Sequence, residues 1–196
     1  MKENKGNILV WLTNPFHFLG GQKLLAIGIA VLLLHIPIGY LFGARFDGAI
    51  DMHITGDVSM LQVFVDVLIA WLSLAISFYL SATLFKAPIR FVDIAGATAL
   101  ARVPLLLSVI PGFIFAPEAE SLEEILAIEG SELCLLVAGS LVILGLMIWF
   151  FIVLFNAYKI NSNLKGWKLG VGFVAGVIAA EGVSLFLIRE LFAQIV

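Results

Sequence analysis

LCLLVAGSLVILGLMIWFFIVLF, residues 133–155, is the stretch that decides the fold. No charged side chain occurs in it, and none follows until Lys159. A helix rises about 1.5 Å per residue, so roughly 20 residues cross a hydrocarbon core about 30 Å thick. This run is long enough. A strand exposed to lipid would need a closed barrel and alternating polarity, and the run does not alternate. It reads as a helix crossing a membrane.

Working outward, four more stretches meet the same test, at 24–42, 63–85, 91–115 and 169–188. The whole chain of 196 residues is 62% hydrophobic and 13% charged, with a mean hydropathy of +1.11. Soluble domains carry roughly 25% charged residues, and a domain this small has too much surface to hide the excess apolar side chains. The fold class expected is all-α: a polytopic five-helix transmembrane bundle over residues 23–196, preceded by an interfacial segment, 1–22. Trp11, Pro15, Phe16, His17 and Phe18 suit the headgroup region, and a short helix or turn is expected there.

Basic residues set the orientation. With the N-terminus in the cytoplasm, the cytoplasmic segments hold Lys2, Lys5, Lys23, Lys86, Arg90, Lys159, Lys165 and Lys168, and the opposite side holds Arg45 and Arg189. The C-terminus then lies outside. Of the two outer loops, 44–60 has strand-like alternation at Ile50, Met52 and Ile54. The other, 116–132, is acidic, and Ser121 with Glu124 suggests a capped surface helix.

Ionisable groups at bilayer depth are costly and therefore informative. Counted along their spans at about 1.5 Å per residue, His35, Arg102 and Glu181 each fall roughly 16–18 Å in, near mid-depth. A buried Arg102–Glu181 ion pair is expected, with His35 beside it. Charge-swapped variants of such a pair should recover in part. The cluster either fixes helix packing alone or marks an ion or substrate site. Pro37 and Pro104 follow two of these residues and each removes a helical N–H, so kinks are expected. Asp66, Ser73, Ser77 and Ser81 share one face of the second span and read as a packing stripe, with Asp66 near enough to the end to meet water. Gly172, Gly176 and Ala180, and Ala97 with Ala101, form small-residue seams, within the chain or between copies.

Cys134 is the one cysteine, so no internal disulfide can form, and a small buried hydrophobe is the expected role. His17, His35 and His53 are scattered, so no metal site is expected. No zinc helix, nucleophile elbow or phosphate loop is present, and an enzyme and a cofactor are not expected. The lysines follow topology and give no nucleic-acid patch.

RFVDIAGATALARVP (residues 90–104), NAYKINSNLKGWKLG (156–170) and the entry segment Asn14-Pro15-Phe16 give the chain a resemblance to the bacterial branch of the Yip domain family, named for eukaryotic members that interact with Ypt/Rab GTPases. The residues that carry it are Arg90, Asp93, Arg102, Pro104, Asn156, Asn161 and Asn163. The resemblance implies five helices, a cytoplasmic N-terminus, the bacterial inner membrane, and a non-enzymatic organiser or partner-binding role. Eukaryotic members have a long N-terminal region and an Asp-Leu-Tyr-Gly-Pro motif. Neither is present here, so a GTPase partner is not implied. The partners expected are the lipid bilayer and a membrane protein or a second copy; a small transporter or channel using His35, Arg102 and Glu181 is the alternative.

Overall fold

A computed structural model of the chain describes residues 8–115, 123 and 128–193. The order of elements is α1 (Ile8–Thr13), a 3-10 turn (Pro15–His17), α2 (Gly21–Phe42), β1 (Ala44–Arg45), β2 (His53–Ile54), α3 (Met60–Leu84), α4 (Phe91–Ala101), α5 (Val103–Leu107), α6 (Val109–Ile114), α7 (Gly130–Ser162) and α8 (Trp167–Ala193). Five helical units are long and apolar enough to cross a membrane: α2, α3, the α4–α6 series, α7 and α8 up to Leu191. The chain is an integral, multi-pass membrane protein. The surface helix expected from Ser121 lies outside the described residues.

The ends of the spans follow local chemistry. The second span starts at Met60, three residues before the expected start, because Ser59 and Gln62 form a capping box: the Gln62 N–H donates to Ser59 Oγ (3.2 Å) and the Ser59 N–H to Gln62 Oε1 (2.8 Å). The fourth span runs on to Ser162, past the expected 155. Asn156 and Asn161 are polar without breaking a helix, Lys159 sits favourably in the last turn, and Asn163 stops it in the left-handed conformation (φ 53°). At 33 residues it is about 50 Å long, which exceeds the hydrocarbon core and must be absorbed by tilt or protrusion.

The first span runs unbroken through Pro37. The third is broken into three pieces at Arg102 and Ser108, with Pro104 in the first turn of the middle piece. Proline there lacks only an N–H that a helix start leaves unpaired.

The first and third spans pack most extensively, followed closely by the second and fifth. The first pair meets backbone to backbone. A Cβ placed on Gly96 would lie 2.7 Å from the Leu25 nitrogen, and one on Gly28 would lie 2.7 Å from the Gly96 carbonyl oxygen. Trp71 ties the second span to the third by donating from Nε1 to the Ala95 carbonyl, 2.9 Å away. The small-residue seams expected from sequence are internal. Ala97, Ala101 and Ala180 are buried, Gly172 abuts the Tyr158 hydroxyl, and a Cβ on Gly176 would come within 2.5 Å of Phe78.

The fourth span is the least covered. Cys134 near its start is exposed rather than buried, which corrects the expectation. In a bilayer, lipid supplies the apolar surroundings that a protein core supplies elsewhere.

The N-terminal segment forms the expected short helix and turn, pinned to the fourth span. Trp149 Nε1 donates to the Leu12 carbonyl (2.8 Å) and Asn156 Nδ2 to the Thr13 carbonyl (3.0 Å). Trp11 stacks on Phe18 at 4.6 Å.

Candidate functional site

The site is built around the loop 43–59 between the first two spans. Gly43 turns the chain off the first span at φ 60°, where a side chain would also strike Gly56. Two residues then pair antiparallel, Ala44 with Ile54 and Arg45 with His53. Between these strands the chain dips into the bundle. Phe46 and Ala49 are completely buried.

The dip brings one peptide unit between two charges. Arg102 Nη1 donates to the Ala49 carbonyl oxygen at 2.8 Å. The next N–H, that of Ile50, donates to Glu181 Oε2 at 3.0 Å. The Ala49 N–H donates to Ser184 Oγ at 2.9 Å, and that hydroxyl donates to the Glu181 carbonyl at 3.0 Å. Gly48 permits the approach, since a Cβ there would sit 2.6 Å from Glu181 Oε1. Irregular backbone survives at membrane depth only where protein groups satisfy it, and these three side chains do so.

The structure therefore brings Arg102 and Glu181 to one place but not into direct contact. No ion pair joins them among the described residues; the Ala49–Ile50 peptide bridges them. The partial charges of that peptide match the ends they face, oxygen toward guanidinium and N–H toward carboxylate. This replaces the expected direct pair.

His35 is buried beside this bridge. Its Nδ1 lies 2.8 Å from the Val31 carbonyl of its own helix, so Nδ1 carries the proton. Its ring meets Phe46 edge-on at 4.7 Å. Among the described residues, Nε2 of His35 and Nε and Nη2 of Arg102 are buried without a hydrogen-bond partner.

Two further sets of charges hold the loop. Arg45 grips Asp66 through both carboxylate oxygens, Nε to Oδ2 at 2.8 Å and Nη2 to Oδ1 at 3.0 Å. Asp66 is thus buried in a two-pronged ion pair, not open to water. His53 Nδ1 lies 2.9 Å from Asp47 Oδ1, with Asp51 Oδ2 3.7 Å from its other nitrogen. The hydrogen bond to Asp47, helped by the charges of Asp47 and Asp51, raises the His53 pKa above its ordinary 6.5. A folded-state pKa raised in this way stabilises the loop fully below about pH 6.5 and loses its effect as pH climbs through the raised value. Amide exchange in residues 44–54 is therefore expected to quicken beyond the intrinsic rate as pH rises above about 6.5. His53→Gln should remove that extra change; an unchanged excess in the variant would assign it to another group.

The expected packing stripe divides in three. Asp66 belongs to Arg45. Ser81 bonds to the Tyr158 hydroxyl at 3.0 Å and the Phe78 carbonyl at 3.1 Å. Ser73 and Ser77 face a groove on the outside of the bundle.

Most of the residues in the family-like stretches are occupied with helix ends. Asp93 Oδ1 accepts the first N–H of the first span, from Gly21, at 2.7 Å, and Arg90 Nε stands 3.3 Å from its other oxygen. A carboxylate at a helix N-terminus also offsets the helix dipole. Asn161 bonds back to the Ala157 carbonyl at 2.7 Å. With Pro104 at the helix break, Asn156 on the N-terminal segment and Asn163 at the left-handed stop, only Arg102 reaches the loop.

Sequence reading missed Ser184, the Arg45 partner of Asp66, and the bridging peptide. Ser184 lies one turn after Glu181, a spacing that would have flagged it. Among the described residues, no group of three His, Cys, Asp or Glu side chains is gathered closely enough to hold a metal ion. No family model matches the chain, and neither a curated protein nor a solved structure matches it.

Proposed function

We propose that this is a non-enzymatic membrane organiser or partner-binding protein of the Yip type, set in a bacterial inner membrane with its N-terminus in the cytoplasm. The observation that carries the reading is how the mid-depth charges are used. Arg102 and His35 have no exposed surface, and Arg102 and Glu181 both hold the chain's own loop. A cluster occupied in this way supports a fixed scaffold whose business lies on its surfaces. The resemblance of residues 90–104 and 156–170 to Yip proteins supports the family, and the distribution of lysine and arginine supports the orientation.

Transport is the second reading, favoured by the three unmet nitrogens of Arg102 and His35. Intramembrane ionisable residues often mark ion and substrate paths.

Cysteine accessibility separates the two. In a Cys134→Ser background, Thr98→Cys and Ala49→Cys place thiols next to the cluster at positions without exposed surface. Both are expected to stay unlabelled by a membrane-impermeant thiol reagent applied from either side of intact membranes, and to label fully after denaturation. Labelling of Thr98→Cys in the native membrane would reveal a hydrated vestibule and replace the organiser with a transporter.

A further inference from the structure

Hydroxyls inside membrane helices rarely go unpaired, because the helix itself offers acceptors. The chain follows this rule at Thr83, Thr98, Ser108, Ser140 and Ser184, each of which bonds to a carbonyl three or four residues back. Ser73 and Ser77, one turn apart in the second span, depart from it. Among the described residues neither has a hydrogen-bond partner, although Ser73 is only 5% exposed. Both line a groove of about 520 Å³ between the second and fifth spans, bordered on the fifth span by the exposed Ala175 and Ala179.

The occupant must meet two conditions. It must supply hydrogen-bonding groups at membrane depth, which an acyl chain does not have. It must also fit the neighbouring relief. Beside the groove runs a ridge on the same helix, Leu72, Ile76, Leu80 and Leu84, spaced by four. Ile76, Leu80 and Leu84 are 45%, 54% and 82% exposed. A ridge spaced by four packs into a groove spaced by four on a facing helix.

We propose that the groove receives the second span of a second copy of this chain. The two copies are related by a twofold axis along the membrane normal, so each ridge enters the other's groove. A hydroxyl both donates and accepts, so the Ser73–Ser77 row is complementary to itself, as a twofold contact requires. Small residues across the groove allow the backbones to come close. The groove is separate from the loop that Arg102 holds, so this pairing stands whether the cluster is structural or serves transport.

The test uses full-length protein in lipid nanodiscs and vesicles, with Cys134 replaced by Ser. Ser77→Cys is expected to form a disulfide-linked dimer under mild oxidation. Leu144→Cys, on the lipid-facing side of the fourth span, should not. Ala179→Leu fills the groove and should leave a folded monomer, shown by unchanged thermal unfolding with half the mass. The Ser73→Ala/Ser77→Ala pair should weaken self-association about tenfold, two interhelical hydrogen bonds of roughly 0.7 kcal/mol each. A monomer in which Ser77→Cys fails to cross-link would overturn the proposal. So would a monomer holding one tightly bound lipid that Ala179→Leu displaces, or Leu144→Cys cross-linking in place of Ser77→Cys.

Discussion

A chain carrying Arg102→Glu together with Glu181→Arg is expected to be no more stable than either single change. Were the two charges in direct contact, exchanging them would restore attraction. Here a peptide lies between them and has a direction. After the exchange, a carboxylate would face the Ala49 carbonyl oxygen and a guanidinium the Ile50 N–H, repulsion at both ends. Arg102 is buried and Glu181 half-buried, and losing either charge leaves the other on the peptide without its counter-charge, so Arg102→Gln and Glu181→Gln should each lower the midpoint of thermal unfolding in detergent clearly. The double variant Arg102→Gln/Glu181→Gln keeps a donor at one end and an acceptor at the other without stranding a charge. It should recover most of the loss. The decisive comparison is between the two doubles. Rescue by the exchange, and not by the neutral pair, would mean that the charges meet directly.

The second large effect belongs to a residue without a side chain. Gly96→Val is expected to separate the first and third spans and cost at least about 3 kcal/mol, the upper end of ordinary overpacking. The three atoms nearest a Cβ there are all backbone, at 2.7–2.9 Å, and backbone cannot rotate aside as a side chain can. Gly145→Val provides the control. It adds the same bulk to a membrane helix where nothing lies within 4 Å, and should change stability by less than about 0.5 kcal/mol. Thermal unfolding followed by loss of the monodisperse peak reads both. Equal stability of the two variants would mean that the close approach of the spans is not required.

The parts of this architecture legible in the sequence are those with a linear signature. Length and hydropathy define a span locally, so the fourth was plain from residues 133–155 alone. Counting along the spans gives His35, Arg102 and Glu181 similar positions, and Arg102 and Glu181 bond to the same peptide. The bridging peptide had no such signature, because every residue but proline carries the same N–H and C=O; only the small Gly48 and Ala49 hint at a close approach. Gly28 and Gly96 were passed over for another reason. Neither has another glycine one turn away in its own span, and the contact exists only when the two are set side by side. The expectation for Cys134 failed because a burial rule learned in water does not hold where the solvent is apolar.

The clasp on the first loop also sets a timetable for biogenesis. Its grip comes from Arg102 in the third span and from Glu181 and Ser184 in the fifth, the last of these five to leave the ribosome. At about 5–20 residues per second, the 79 residues from Arg102 to Glu181 take roughly 4–16 seconds to synthesise. Throughout that interval a guanidinium has entered the insertion machinery without its counter-charge, and residues 46–51 have nowhere to dock. The early helices must therefore be sheltered, by the translocon or by an insertase, until the final one arrives. A nascent chain stalled before residue 181 should be an efficient substrate for membrane quality-control proteases, whereas one released after 191 should escape them.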